Sequence, residues 1–385
     1  MNLTRVQFKE IIREKVTKRG GIEELMRVVL EVIMEGERDL YKEESGESSN
    51  GYRRRRVIYG GNILELKVPR TRRSGFYPKL LMVLKEEHRE IEELSSLLYR
   101  QGNTMSDISE VLGLLYGQRY STSQINRLCM STMEGIKEWR ERRLPEKAEA
   151  LVIDACYLPV RRGGRVEKEA FFVVLGLKED GSREVFGVYN NPTEGSGIWR
   201  SFFEDLQRRG LREVKLIMSD ALRGIEEVCE AYFRGVEVQL CTVHAEREIL
   251  NRVRTKDRQK IAEELKAVFA TGNEQDSPEK GMKRFEAFCD RWSGDYKFLK
   301  VKREDPRTKY YFTYLAYHSA QRPYLHTTNW VERFNREIKG ASKRKAQYPT
   351  PESALNHITL IAMNATYLER KIGGLVGGLK KTSIE

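Results

Sequence analysis

Leu151-Val152-Ile153-Asp154 is an apolar, β-branched run that ends on an acid, and Val214-Lys215-Leu216-Ile217-Met218-Ser219-Asp220 repeats the design. Runs of this kind read as strands buried on both faces. An Asp at or near the end of such a strand sets a carboxylate on a rigid scaffold. Acids after strands also serve turns and caps, so neither run alone decides a role. Their order along the chain carries more.

Working outward, the first strand opens at Ala148. A second is Ala170-Phe171-Phe172-Val173-Val174-Leu175-Gly176-Leu177, the turn is Glu179-Asp180-Gly181-Ser182, and the third strand is Glu184 to Tyr189. That is an antiparallel meander. A helix from about Gly197 to Arg209 follows, with Trp199, Phe202, Phe203 and Leu206 as its buried stripe. The Asp220 strand comes next, then a helix from Leu222 to Tyr232, then Val236 to Leu240 as a fifth strand. Three antiparallel strands followed by two αβ units predict an α/β fold with a five-stranded mixed sheet, the ribonuclease-H-like topology.

A third acid lies far downstream in Thr327-Thr328-Asn329-Trp330-Val331-Glu332-Arg333-Phe334-Asn335-Arg336-Glu337-Ile338-Lys339. Glu332 opens a helix, with Asn335, Arg336 and Lys339 on its face at i+3, i+4 and i+7. A Glu that holds a metal beside a phosphate backbone needs such neighbours. The local alternative is a capping box, with Asn329 as N-cap and Glu332 at the third helical position.

The 385 residues carry 69 Lys and Arg against 57 Asp and Glu, a net charge of +12, which points to a polyanionic partner. No apolar run approaches membrane-spanning length and no signal-peptide pattern opens the chain, which disfavours a membrane partner. Five scattered cysteines suit a reducing cytosol rather than a disulfide scaffold. The expected location is therefore cytoplasmic, associated with the nucleoid.

Residues 51 to 80 hold nine Lys or Arg against one acid, Glu65. Two alternating runs around Gly60-Gly61 predict a β-hairpin. Arg53, Arg54, Arg55, Arg56, Arg70, Arg72 and Arg73 make it a candidate phosphate contact rather than a merely solvated face. Residues 104 to 140 read as a helix-turn-helix, with helices on either side of Gly117-Gln118-Arg119-Tyr120. Arg119, Gln124, Asn126 and Arg127 would face a DNA groove; an ordinary helical hairpin is the commoner reading of such a pattern.

Four blocks together resemble the Mutator-type insertion-sequence transposases: Val152 to Arg161, Ser219 to Gly224, Gln239-Leu240-Cys241-Thr242-Val243-His244, and Thr327 to Lys339. They stand in the family's order and approximate spacing, and the resemblance runs from about residue 50 to about residue 370. Trp330-Val331 departs from the family pattern, where a smaller residue precedes the acid. The resemblance implies a ribonuclease-H-like catalytic domain with an Asp-Asp-Glu triad, here Asp154, Asp220 and Glu332, acting on double-stranded DNA at terminal inverted repeats. It also implies a multimer, a homodimer on paired ends, and an all-helical insertion that separates Asp220 from Glu332 by 112 positions.

On this reading the units are an N-terminal helical segment (1–50), a basic β-hairpin (51–85) and a helix-turn-helix region (86–147). A first part of the core (148–245), the helical insertion (246–325), the Glu-bearing part of the core (326–370) and a tail (371–385) follow. The chemistry expected is phosphodiester hydrolysis and transesterification. Two Mg²⁺ ions about 4 Å apart, replaceable by Mn²⁺, would be held by Asp154, Asp220 and Glu332. Arg333, Arg336, Lys339, Lys343, Arg344 and Lys345 would grip phosphates near the site. Cys241 and His244 form a family motif of structural or DNA-orienting character. Zinc would need four ligands, and Cys229 is the nearest other one in sequence. The competing classes are a catalytically silent DNA-binding descendant and a nuclease of the same fold that cuts without joining.

Overall fold

Helix α1 (Gly21–Ser45) and the antiparallel pair β1 (Ser49–Tyr59) and β2 (Asn62–Thr71) form the first core of the protein, seen here in a computed structural model that describes residues 21–59, 62–73, 75–116, 120–191, 196–220 and 224–382. Leu64, Leu66 and Val68 alternate with exposed Glu65 and Lys67. That period of two sends one face of β2 against Leu30 and Met34 of α1 and Leu81 and Leu84 of α2 (Lys79–Arg100). Helices α3 (Met105–Tyr116), α4 (Thr122–Leu128) and α5 (Met130–Glu141) follow. Ser121 caps α4 in a reciprocal capping box with Gln124. The expected turns at Gly60-Gly61 and Gly117-Gln118-Arg119 lie outside the described residues, as do 1–20 and Ala221-Leu222-Arg223. The chain divides into two compact units, residues 1–132 and 133–385.

The second unit is built on a five-stranded mixed sheet: β3 (Lys147–Arg162), β4 (Arg165–Leu177), β5 (Arg183–Asn191), β6 (Glu213–Ser219) and β7 (Glu237–Leu240). Its order is β5-β4-β3-β6-β7. The β3–β4 and β4–β5 pairs are antiparallel, and the β3–β6 and β6–β7 pairs are parallel. Order and sense are consistent with a ribonuclease-H-like fold. The near-continuous burial of β3 from Ala148 to Asp154 explains its lack of hydrophobic alternation, because both faces of the central strand are covered. Helices α6 (Ser196–Arg208) and α7 (Ile225–Tyr232) lie in the β5–β6 and β6–β7 connections. Trp199 stands edge-to-face on both Phe172 and Phe202, in a cluster between the sheet and α6.

From α8 (Thr242–Arg252) the chain is helical through α9 (Thr255–Val268), α10 (Pro278–Trp292) and α11 (Phe298–Glu304), two 3₁₀ segments (Pro306–Tyr311, Thr313–Ala316) and α12 (Arg322–Leu325). Fully buried Arg322 holds this region together by donating to the carbonyls of Tyr317, Asn273 and Asp276. Helix α13 (Asn329–Ser342) then returns to the sheet and packs on β3, with Val331, Phe334 and Ile338 fully buried. Helix α14 (Pro351–Met363) follows.

One expectation and one local alternative need correction. Strand β3 runs to Arg162 and β4 starts at Arg165, so both are longer than their apolar cores suggest; backbone pairing continues where the side chains turn charged. The capping box at Asn329 is absent: the N-cap of α13 is Thr328, with no side-chain cap, and the Glu332 carboxylate points elsewhere. Trp330 is accommodated half-buried beside Tyr324 and Arg183, leaving Val331 to enter the core.

Candidate active site

The register of the parallel strands sets the site. The last rungs are Ile153 opposite Ser219 on β3–β6 and Ser219 opposite Leu240 on β6–β7. Asp154, Asp220 and Cys241 are each the next residue, so they form a row where the parallel ladders end: β6 and β7 stop there, and β3 runs on paired only with β4. In open α/β sheets, the crevice beyond such ends is where ligands bind. Helix α13 brings Glu332 to the same place, and α8 adds His244 from its first turn.

His244 joins the acids. Its Nδ1 is in direct ionic contact with Asp220 Oδ1, although neither atom makes a hydrogen bond of ordinary geometry, and its Nε2 lies 3.7 Å from Glu332 Oε1. Arg247, one turn further along α8, donates from Nη1 to the same Glu332 oxygen at 3.0 Å. The contact with Asp220 and a hydrogen bond with Cys241 push the imidazole up to about 10 against the opposing effect of burial.

Asp154 is 6% exposed. Burial, reinforced by the nearby Asp220 charge, raises its carboxyl to about 6; the Ala155 N–H, His244 and Asn335 act in the other direction. Asn335 Nδ2 donates to Asp154 Oδ2 at 2.8 Å. The Asn335 amide is itself buried, and its Oδ1 has no hydrogen-bond partner among the described residues.

The Cys241-Thr242-Val243-His244 segment ties the strands to α13. Thr242 donates from both N–H and Oγ1 to the His326 carbonyl, at 2.9 and 3.0 Å, and buried Thr328 donates to Cys241 Sγ at 3.4 Å. Burial would raise the Cys241 thiol, but hydrogen bonds from His244 and Thr328 bring it below its ordinary value. Ligand atoms of Asp220, Cys241 and His244 lie within 4.8 Å of one another. Asp220, not Cys229, is thus the third member of that group; Cys229 is buried in α7 with its thiol on the Glu226 carbonyl.

The other predicted positions fall in three places. Arg333, Arg336, Lys339 and Lys343 are exposed on or just after α13, with Arg333 over the Tyr367 ring and Lys345 beside the Tyr348 ring; nothing is described for the Arg344 side chain. On the hairpin of the first unit, Arg54 pairs with Glu65 at 3.5 Å. Arg53 and Arg55 lie against Tyr77, and Arg56, Arg70, Arg72 and Arg73 are exposed. On α4, Asn126 and Arg127 are exposed, whereas the Gln124 carbonyl accepts from the Ser121 N–H in the cap of its own helix. Arg119 lies outside the described residues. Sequence reading missed Arg247, Thr328 and the partner of Asn335. Only the i+3 spacing of Asn335 from Glu332 hinted at the last.

The transposase family model of the Mutator type matches residues 2–369. The chain is 28% identical over 374 residues to the transposase of insertion sequence element IS905 of Lactococcus lactis, covering 92% of each protein. It is 28% identical over 322 residues to the IS1201 transposase of Lactobacillus helveticus, covering 83% of this chain and 85% of the relative. The IS256 transposase of transposon Tn4001 of Staphylococcus aureus is 27% identical over 351 residues, 88% of each. With a family match along nearly its whole length, this chain belongs to the Mutator family of transposases.

Proposed function

We propose that the protein binds the terminal inverted repeats of its own element, cleaves the DNA strands there and transfers them to target DNA, with Asp154, Asp220 and Glu332 as the acids of the reaction. The observation that supports this reading best is the meeting of residues 154, 220, 244 and 332, from four separate elements, where the parallel ladders end.

The donor set fits hard divalent cations. Asp154 and Asp220 are close enough for one charge to oppose ionisation of the other, and the only cations touching Asp220 and Glu332 among the described residues are His244 and Arg247. Asp154, Asp220 and Glu332 would hold two Mg²⁺ or Mn²⁺ ions, which when bound activate the attacking oxygen and stabilise the leaving one. The chain's own residues orient and balance charge. Asn335 fixes one oxygen of Asp154, and the Ala155 N–H fixes the other. His244 and Arg247 neutralise Asp220 and Glu332 in the metal-free state. The exposed cations of α13, the basic hairpin and α4 supply phosphate and groove contacts.

The test is a supercoiled plasmid carrying the DNA that flanks the gene, incubated with the protein and Mg²⁺ or Mn²⁺, with all junctions sequenced. End-specific nicking with joining is the expected result. Cutting without joining would replace the reading with a nuclease, and binding without cutting with a DNA-binding descendant.

A further inference from the structure

Beyond the acid row, β3 and β4 leave the sheet. The last β3–β6 rung is Ile153–Ser219 and, among the described residues, the last β4–β5 rung is Ala170–Asn191, yet β3 and β4 stay paired to Arg162–Arg165. The outer part is a two-stranded arm. Gly163 and Gly164 turn its tip at φ +56° and +82°, where a side chain would be strained. Residues 161–168 carry Arg161, Arg162, Arg165 and Lys168 against one acid, Glu167, and all are exposed. Arg162 is braced by Glu169 at 2.7 Å, which stiffens the arm and leaves Arg161, Arg165 and Lys168 as its outward charges.

The arm does not stand alone. Its outer half is joined to the segment after α13: the Tyr348 N–H donates to the Pro159 carbonyl and the Arg161 N–H to the Tyr348 carbonyl, both at 2.9 Å. Tyr348 is buried and anchored by Ser342 at 2.8 Å and by His357. Further in, exposed Lys339 lies on α13, which packs on β3. Two basic segments about 180 positions apart in sequence thus adjoin: Lys345 lies over the ring of Tyr348, whose backbone pairs with Arg161, and Arg165 stands opposite Arg162 across the tip.

We propose that this arm is a DNA-binding element that holds the duplex leading away from the cleavage site by its phosphates. The proposal rests on the DNA-cleaving reading above. It adds a surface of this chain that the basic hairpin and α4 do not include. The span from Asp154 to Arg161 is seven residues of extended chain, roughly 23 Å, or about seven base pairs of B-form DNA.

Two measurements on the full-length protein test it. The first is binding, by fluorescence anisotropy in Ca²⁺, to a duplex containing an element end and its flank, across a salt series. Arg161→Glu combined with Arg165→Glu should weaken binding and make the slope of log K against log salt less steep by about 2, since each lost phosphate contact removes about 0.9. The alanine pair should show the same slope change, and thermal melts compared with the parent confirm that both fold. The second measurement attaches an iron chelate to Val166→Cys, an exposed position paired with Arg161, and maps hydroxyl-radical cuts after subtracting the pattern of the labelled parent. Cuts should centre about seven base pairs from the scissile phosphate. A parent that binds and cuts, with arm variants of unchanged slope or tethered cuts scattered along the duplex, overturns the arm alone. A parent that neither binds nor cuts element-end DNA overturns the arm together with the function on which it rests.

Discussion

Asn335 Nδ2 donates to Asp154 Oδ2 at 2.8 Å, linking the central strand to the Glu332 helix across 181 positions of sequence. The bond favours the ionised form of a carboxyl that burial disfavours. A hydrogen bond to a charged group contributes about 1.5–3 kcal/mol, or roughly one to two pH units in the acid's titration. Asn335→Ala should therefore move the acid limb of the cleavage rate upward by about one unit, which lowers the rate about twofold at pH 7 and about tenfold toward pH 5. Asn335→Asp, which sets a second carboxyl against the first, should move it further. A rate–pH profile of unchanged midpoint in both variants would show that Asn335 only packs.

Asp154 should be a residue whose loss stabilises the metal-free protein. Its folded-state value, about 6, lies above the ordinary 3.8, so the native state holds this proton more tightly than the unfolded chain does. Stability consequently falls as pH rises between those values, and above about 6 the full penalty is present, on the order of 3 kcal/mol. Asp154→Asn removes the penalty. In urea melts without divalent ions, the variant should exceed the parent by about 2–3 kcal/mol at pH 7.5, with the gap closing toward pH 4. A variant equal to or weaker than the parent at pH 7.5 would contradict the assigned environment.

The Asp220–Cys241–His244 group predicts a specific inhibitor. Thiolate and imidazole favour Zn²⁺ over Mg²⁺, and the three ligand atoms lie within 4.8 Å. Low concentrations of Zn²⁺ should suppress Mg²⁺-dependent cleavage, and Cys241→Ser should raise the concentration needed by about tenfold or more. Equal sensitivity of parent and variant would remove Cys241 from the group.

The sheet was legible because its strands have apolar cores, and the acids at 154 and 220 each interrupt or follow one. What the sequence concealed depended on tertiary partners. The β3–β4 arm is charged, so no hydrophobic pattern marked it; its pairing rests on backbone hydrogen bonds that any residue makes. Asn329 and Glu332 satisfied the local spacing of a capping box, but contacts with His244 and Arg247 take the carboxylate away from its own helix. Gln124 has the chemistry of a base reader, yet its carbonyl serves the cap at Ser121. Arg247 lay in a charged helical stretch whose pattern matched a solvated face.

The central claim is that Glu332 works with Asp154 and Asp220 in cutting DNA. It is tested most directly by comparing the parent with Glu332→Gln on the same element-end substrate, measuring Mg²⁺-dependent strand cleavage and, in Ca²⁺, binding affinity. Loss of one metal-holding carboxylate removes several kcal/mol of transition-state stabilisation, on the order of a hundredfold to a thousandfold in rate or more. The account predicts that loss with affinity changed less than about threefold, an effect below 1 kcal/mol. Cleavage by Glu332→Gln at the parent's rate would contradict it.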